Sequence, residues 1–243
     1  MITEEHLLRF RRDGFFILEN ILAPHDLQAL RDECQRFVTA REAEMDRLGV
    51  DTIDLDHRGS RYFVHAYEHS DTVREFLFSE LMTGIVRATL GDTGYLFNEQ
   101  YVVKAAERGM TFGWHQDSGF IEYPHAAYLT CWIALDDVTE TNGTVYLLPY
   151  AEAGTRGVVR HVRDEQSNDL IGYTGTAKGT PVIAPAGSIA CFASTVLHRS
   201  GANGTDRMRR VYLAQYSGEP ILNAERTRPR HLAVPIPATG SGE

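Results

Sequence analysis

Residues 95–104, YLFNEQYVVK, mark where the chain stops reading as helix and starts reading as sheet. Ten residues pass without glycine or proline, rich in aromatic and β-branched types that suit a pleated surface. Successive side chains of a strand point to opposite faces, so Asn98, Gln100 and Lys104 share one face. A solvated strand face accounts for that polar row, and a pocket wall using Asn98 or Gln100 is the alternative. Downstream, AAYLTCWIAL, GTVYLLP, GVVRHV, TPVIA, GSIACFAS and RRVYLAQY repeat the pattern as short runs separated by Gly, Pro, Asn and Asp.

Upstream the periodicity is helical. TEEHLLRFRRDG offers Thr3 as a cap and Gly14 as a stop, and the segment from Pro24 to Gly49 carries Leu27, Leu30, Cys34, Phe37 and Val38 on one stripe. FFILENIL between them reads as a short strand, and SELMTGIVRATLG as a further helix. The order predicts a mostly β double-stranded β-helix (a cupin-like jelly roll) with flanking N-terminal α-helices. It is expected as one domain over 1–243: a helical buttress over about 1–92, a core over about 93–218 and a tail over about 219–243 that ends in the mobile-looking PIPATGSGE.

A formal net charge of −9 without a basic stripe argues against nucleic acid as partner. The small basic patch RTRPRH (226–231) reads as solvated. Cys34, Cys131 and Cys191 sit in apolar runs with no CxxC spacing, as small buried hydrophobes rather than disulfides or zinc ligands. No signal-like or membrane-spanning stretch occurs, so a cytoplasmic monomer or homodimer acting on a small molecule is expected.

GWHQDS (113–118) places His115 and Asp117 at i and i+2, on one face of an extended segment. A surface pair and two legs of a metal site both fit. Of the other histidines, His198 stands out: it ends a strand before a Gly/Asn-rich turn, with arginines on the strand that follows. Two histidines and one carboxylate suit non-haem iron(II) with open coordination positions. A 2-oxo acid bound there needs a cation for its far carboxylate, and arginine's planar fork matches that group. Strand parity puts Arg209 with Val211 and Leu213 on an inward face and Arg210 on the other; it also admits Arg207.

Three ordered blocks carry a resemblance. WHQD, then WIALDDVTETNGTVYLLPYAEAG, then HRSGANGTDRMRR resemble the phytanoyl-CoA dioxygenase family of iron(II)/2-oxoglutarate-dependent oxygenases, over roughly Gly14 to Tyr216. The resemblance implies Fe(II) on His115, Asp117 and His198, with 2-oxoglutarate and O2 as co-substrates. It also implies Arg209 on the distal carboxylate with Ser200 beside it, and Trp132, Phe112 and Thr130 lining that pocket. The family's usual PGSHK is here PYAEAG (149–154), which weakens substrate inference more than mechanism.

The expected reaction is hydroxylation of an unactivated C–H bond of a small polar metabolite, as in secondary metabolism, with release of succinate and CO2. Desaturation, ring closure and epimerisation remain open on the same scaffold, while Asp117 fills the site a halogenase would leave for chloride. A non-catalytic jelly-roll binding protein is the reading from another class. Arg61, Asn98, Gln100 and Tyr123 are candidate substrate residues, and 46–63 and 163–179 are candidate lids. The carboxylates of 46–63 raise the option of a cationic substrate, against a plain solvated loop.

Overall fold

Local signals set the helices of the computed structural model, which describes residues 2–107, 110–165 and 169–238. Helix α1 (Glu4–Asp13) starts where the Thr3 hydroxyl accepts from the His6 amide and ends on Gly14 at φ 91°. After strand β1 (Phe15–Leu18), helix α2 (Pro24–Leu48) runs from its N-terminal proline to Gly49 in the left-handed region. Strands β2 (Thr52–Ile53), β3 (Asp56–His57) and β4 (Arg61–Val64) follow, then α3 (Asp71–Leu77) and α4 (Glu80–Leu90), capped by Ser70 and Ser79.

The strands predicted from residue 95 onward form next. They are β5 (Tyr95–Lys104), β6 (Phe112–His115), β7 (Leu129–Ala134) and β8 (Val145–Leu147); after the short helix α5 (Tyr150–Ala153) come β9 (Val162–Arg163) and β10 (Leu170–Ile171). Strands β11 (Thr180–Pro181), β12 (Ile189–Ala193), β13 (His198–Ser200), β14 (Arg209–Ser217) and β15 (Val234–Pro235) complete the set.

Two main antiparallel sheets and a two-stranded ribbon, β9-β10, result. The larger runs β1-β12-β7-β14-β5-β4-β3-β2, and the smaller runs β11-β8-β13-β6. This is a jelly roll flanked by helices. One face of the large sheet packs Cys131, Ile133, Tyr212, Ala214 and Tyr216 against Leu30, Val73, Met82 and Ile85 of the helices. Each such buried aliphatic or aromatic side chain contributes roughly 1.5–3 kcal/mol. The opposite face turns Trp132, Ala134, Phe192 and Val211 toward Val145 and Leu147 of the small sheet. All three cysteines are buried and unbridged, as their apolar surroundings implied.

Two expectations about organisation are corrected. The first ninety residues are not only a helical buttress, because β1 pairs with β12 and β4 with β5, extending the large sheet at both ends. Nor is 219–243 simply a tail. Strand β4 covers β5 only over Tyr101–Lys104, which leaves the edge at Tyr95–Leu96 open, and β15 pairs there while Ile236 is buried. Residues 239–243 lie outside the described residues, as do 166–168 of the second candidate lid. No helix among the described residues is long and apolar enough to cross a membrane.

Candidate metal and co-substrate site

Strand pairing brings the sequence-distant ligands together. His115 closes β6 and His198 opens β13, and the two are register partners with ring centroids 4.2 Å apart. Asp117 starts the 3₁₀ turn that follows β6, and its Oδ1 lies 3.5 Å from His198 Nε2. One donor atom from each of the three falls within 4.8 Å of the others, the one such trio of His, Cys, Asp and Glu among the described residues.

Each donor is oriented from behind. A carbonyl can only accept, so Nδ1–H of His115 donates to Gly113 O (2.8 Å) and Nδ1–H of His198 to Val196 O (3.0 Å). Both Nε2 lone pairs are thereby left for a cation. Burial first, and His198 second, hold His115 well below the usual imidazole range, in the neutral form a metal requires. Asp117 Oδ2 accepts from Thr130 Oγ1 (2.5 Å) and Gln215 Nε2 (3.0 Å), while Asn98 Nδ2 donates to Gln215 Oε1 (3.0 Å).

His161, which no sequence pattern singles out, supports the same segment. Its Nε2 accepts from the Gln116 amide, and a Cβ at Gly119 or Gly172 would meet its ring at 2.3 or 2.6 Å. Both glycines are therefore needed for close packing on that imidazole. A histidine on a loop edge carries no sequence mark of such a role.

The trio opens into a cavity of about 530 Å³. Of the expected residues, Arg209, Ser200, Trp132, Phe112, Thr130, Asn98, Gln100 and Arg61 all line it. Arg209 is 2% exposed: Nη2 donates to Gly143 O (2.9 Å), while Nε and Nη1 are buried without a partner. Its guanidinium lies 5.7 Å from the Trp132 ring centroid. Parity had also admitted Arg207, but that residue is exposed, and Arg210 pairs with Asp136 at 2.6 Å.

Lys104 corrects the solvated-face reading of β5. It is 1% exposed, stands opposite Arg209 in the register, and donates through Nζ to Ser200 Oγ (2.7 Å) and Gly201 O. Asn98 and Gln100 on the same face also look into the cavity rather than into solvent. Tyr123 is corrected in the other direction. The chain turns after Phe120 so that Ile121 is buried, and Tyr123 lines a second cavity with His125 and the segment 219–226. Tyr173 packs edge-on to Trp114 instead of facing the metal trio. In the first candidate lid, Asp51 pairs with Arg58 and the buried Asp56 with Arg41, while Leu55, Arg61 and Phe63 line the cavity.

Burial, then the neighbouring Arg209, push the Lys104 pKa down to about 6. The unfolded chain holds that proton up to the ordinary lysine range, so between about pH 6 and 10 the unfolded state binds more protons than the folded one. Stability of the ligand-free chain from this residue is expected to rise with pH across that window and to be lowest below it. Urea midpoints from pH 6 to 9 check this: the slope should flatten in Lys104→Met, and an unchanged slope would refute it.

The phytanoyl-CoA dioxygenase family matches residues 10–211. L-proline trans-4-hydroxylase of Streptomyces griseoviridis is 24% identical, over 93% of this chain and 90% of its own. An ectoine dioxygenase of Nocardia farcinica is 27% identical, over 91% and 80%. Among solved structures, the non-heme α-ketoglutarate-dependent carbocyclase of nogalamycin biosynthesis superposes with a TM-score of 0.73 at 17% identity, over 97% of both chains. The epimerase of the same biosynthesis reaches 0.69 at 20%, over 97% of this chain and 95% of its own. At those identities the structures speak for the fold.

Proposed function

This chain belongs to the phytanoyl-CoA dioxygenase family of iron(II)/2-oxoglutarate-dependent dioxygenases, and from that premise we propose that His115, Asp117 and His198 hold the ferrous ion while Arg209 holds 2-oxoglutarate. The observation that carries the assignment is the orphaned guanidinium. A buried cation with two unpartnered nitrogens, in the cavity that contains an oriented His/Asp/His trio, fits a dicarboxylate anchored opposite a metal.

Iron bound there, with 2-oxoglutarate and O2, supplies an oxidant able to attack an unactivated C–H bond, and succinate and CO2 leave. The side chains do the rest. Backbone anchors on both Nδ1 atoms fix the imidazoles as neutral donors, and Thr130 with Gln215 keeps one carboxylate oxygen of Asp117 turned away from the trio. Lys104 and Ser200 extend the Arg209 cradle for the distal carboxylate. Phe112 and Phe63 pack edge to face at 5.8 Å, giving an apolar wall that limits water near the reacting centre.

The prime substrate is a small molecule, and hydroxylation is the outcome we assign, in line with the hydroxylase among the sequence relatives. The carbocyclase and epimerase among structural neighbours show what the same scaffold hosts in those proteins. Purified chain with iron(II), ascorbate and 2-oxoglutarate is expected to form succinate slowly without substrate. A chelator should abolish this and added iron(II) restore it; no metal-dependent succinate would overturn the assignment.

A further inference from the structure

The cavity gathers cations inside a chain whose formal net charge is −9. Arg61, Lys104 and Arg209 are successive register partners across β4, β5 and β14, and all three line the cavity. Like charges directly opposed across strands destabilise a sheet, and Lys104, beside Arg209, gives up its proton readily in the ligand-free chain; an anion in the cavity is what would let all three carry charge together. Two of the three have work in the reading above: Lys104 and Arg209 face 2-oxoglutarate. Arg61 does not, and neither does Arg230, which reaches the cavity from the segment between β14 and β15.

Two further arginines line the cavity but are engaged elsewhere: Arg199 stacks on Tyr146 and Trp114 and donates to Lys178 O, and Arg163 has a partner of its own. Arg61 and Arg230 are held by neutral groups. Arg61 donates through Nε to Leu55 O (2.9 Å) and through Nη1 to Met110 Sδ (2.7 Å). Arg230 donates through Nη2 to Phe120 O (2.8 Å) and lies 5.8 Å from the Tyr123 ring centroid. Among the described residues neither pairs with a carboxylate. Of the two carboxylates lining the cavity, Asp117 is committed to the trio, and Asp169 accepts from the Gly113 amide and acts on Lys104.

Each arginine is bonded to the backbone of an exposed apolar residue. Leu55 is 60% and Phe120 48% exposed, and both line the cavity. Buried Phe97, Ile121 and Tyr128 continue the apolar lining. A guanidinium fork beside an apolar side chain, presented twice, suits a molecule with an oxyanion at one end and hydrocarbon at the other.

Resting on the oxygenase reading of this cavity, we propose that the prime substrate is a small organic anion with an apolar body, its oxyanion held by Arg61 and Arg230. An amine substrate, an option raised by Asp51, Asp54 and Asp56, is disfavoured because Asp51 and Asp56 are paired with Arg58 and Arg41 while Asp54 is exposed and does not line the cavity.

The test uses three probes of one shape, 3-phenylpropanoate, 3-phenylpropanamide and 3-phenylpropylamine. They are titrated by calorimetry into the chain loaded anaerobically with manganese(II) and saturating 2-oxoglutarate, so that Arg209 and Lys104 are already occupied. The carboxylate is expected to bind at least about tenfold tighter than the amide, with the amine weakest. In the Arg61→Gln/Arg230→Gln double variant that preference should shrink to within about twofold, while 2-oxoglutarate affinity stays within about twofold of the parent. Equal binding of acid and amide, tightest binding of the amine, no binding of any probe, or a preference that survives the double variant would each overturn the substrate class. Failure of the parent to bind 2-oxoglutarate with manganese(II) would instead sink the oxygenase assignment, and this proposal with it.

Discussion

Arg209→Met is expected to make the ligand-free protein more stable and, at the same time, nearly blind to 2-oxoglutarate. The two effects have one cause. In the ligand-free chain the guanidinium is buried, pushed by that burial down to about 10, and bonded only to Gly143 O among its described partners. An uncompensated buried charge costs several kcal/mol, and an unbranched apolar side chain of similar length removes that cost without leaving a large void. A gain of about 1 kcal/mol would raise the melting temperature of a chain this size by roughly 2–4 °C. The anion loses its principal partner in the same step. Truncating one side of a buried, hydrogen-bonded charge pair costs about 2–5 kcal/mol, so 2-oxoglutarate should bind on the order of thirtyfold to a thousandfold more weakly. Thermal unfolding with and without 2-oxoglutarate reads both numbers. A variant that melts lower and keeps the parent's ligand-induced shift would show that Arg209 is structural.

How far the site was legible in the sequence depends on what each pattern encodes. His115 and Asp117 could be read because a strand's period of two puts them on one face within six letters. Arg209 could be narrowed to two candidates by parity, and burial then separated it from Arg207. Lys104 could not be read, since alternation gives the faces of β5 but not what covers them. A polar row beneath a second sheet looks the same in sequence as one in water. The cationic rim is harder still. Arg61 and Arg230 are 169 positions apart in the numbering and become neighbours of one cavity only through tertiary closure. The stretch 226–231 is exposed, as its reading as a solvated patch implied, but nothing local announces that β15 will take the open half of the β5 edge and that Arg230 and His231 will line the cavity. Tyr123 failed for a related reason: closeness in sequence to Asp117 did not survive the turn at Asp117–Phe120.

Asp117→Ala should also silence the enzyme, but with the opposite effect on stability, and the contrast isolates what each residue does. The carboxylate supplies one of the three clustered donor atoms, and its other oxygen is the acceptor for Thr130 Oγ1 and Gln215 Nε2. Thr130 is fully buried and Gln215 is 6% exposed, so truncation leaves the Thr130 hydroxyl without its acceptor, while Gln215 Nε2 loses one acceptor and keeps Thr130 Oγ1 at 3.2 Å. An unsatisfied buried group costs about 1–3 kcal/mol, which lowers the melting temperature of the ligand-free chain where Arg209→Met raises it. Loss of an anionic ligand from a three-donor site removes the negative charge opposing the cation. Since even an outer partner of a ligand is worth about 10–100-fold in metal affinity, the ligand itself should be worth more, and uncoupled succinate formation should fall by roughly a thousandfold or beyond. Gln215→Leu gives the intermediate case: Asp117 keeps its charge and Thr130, and the metal affinity should fall by about 10–100-fold without abolishing turnover. Titration of each variant with iron(II) or manganese(II), beside its melting curve, checks the ordering. If Asp117→Ala bound metal as well as Gln215→Leu does, the aspartate would be a spectator of the two histidines and the three-donor assignment would be wrong.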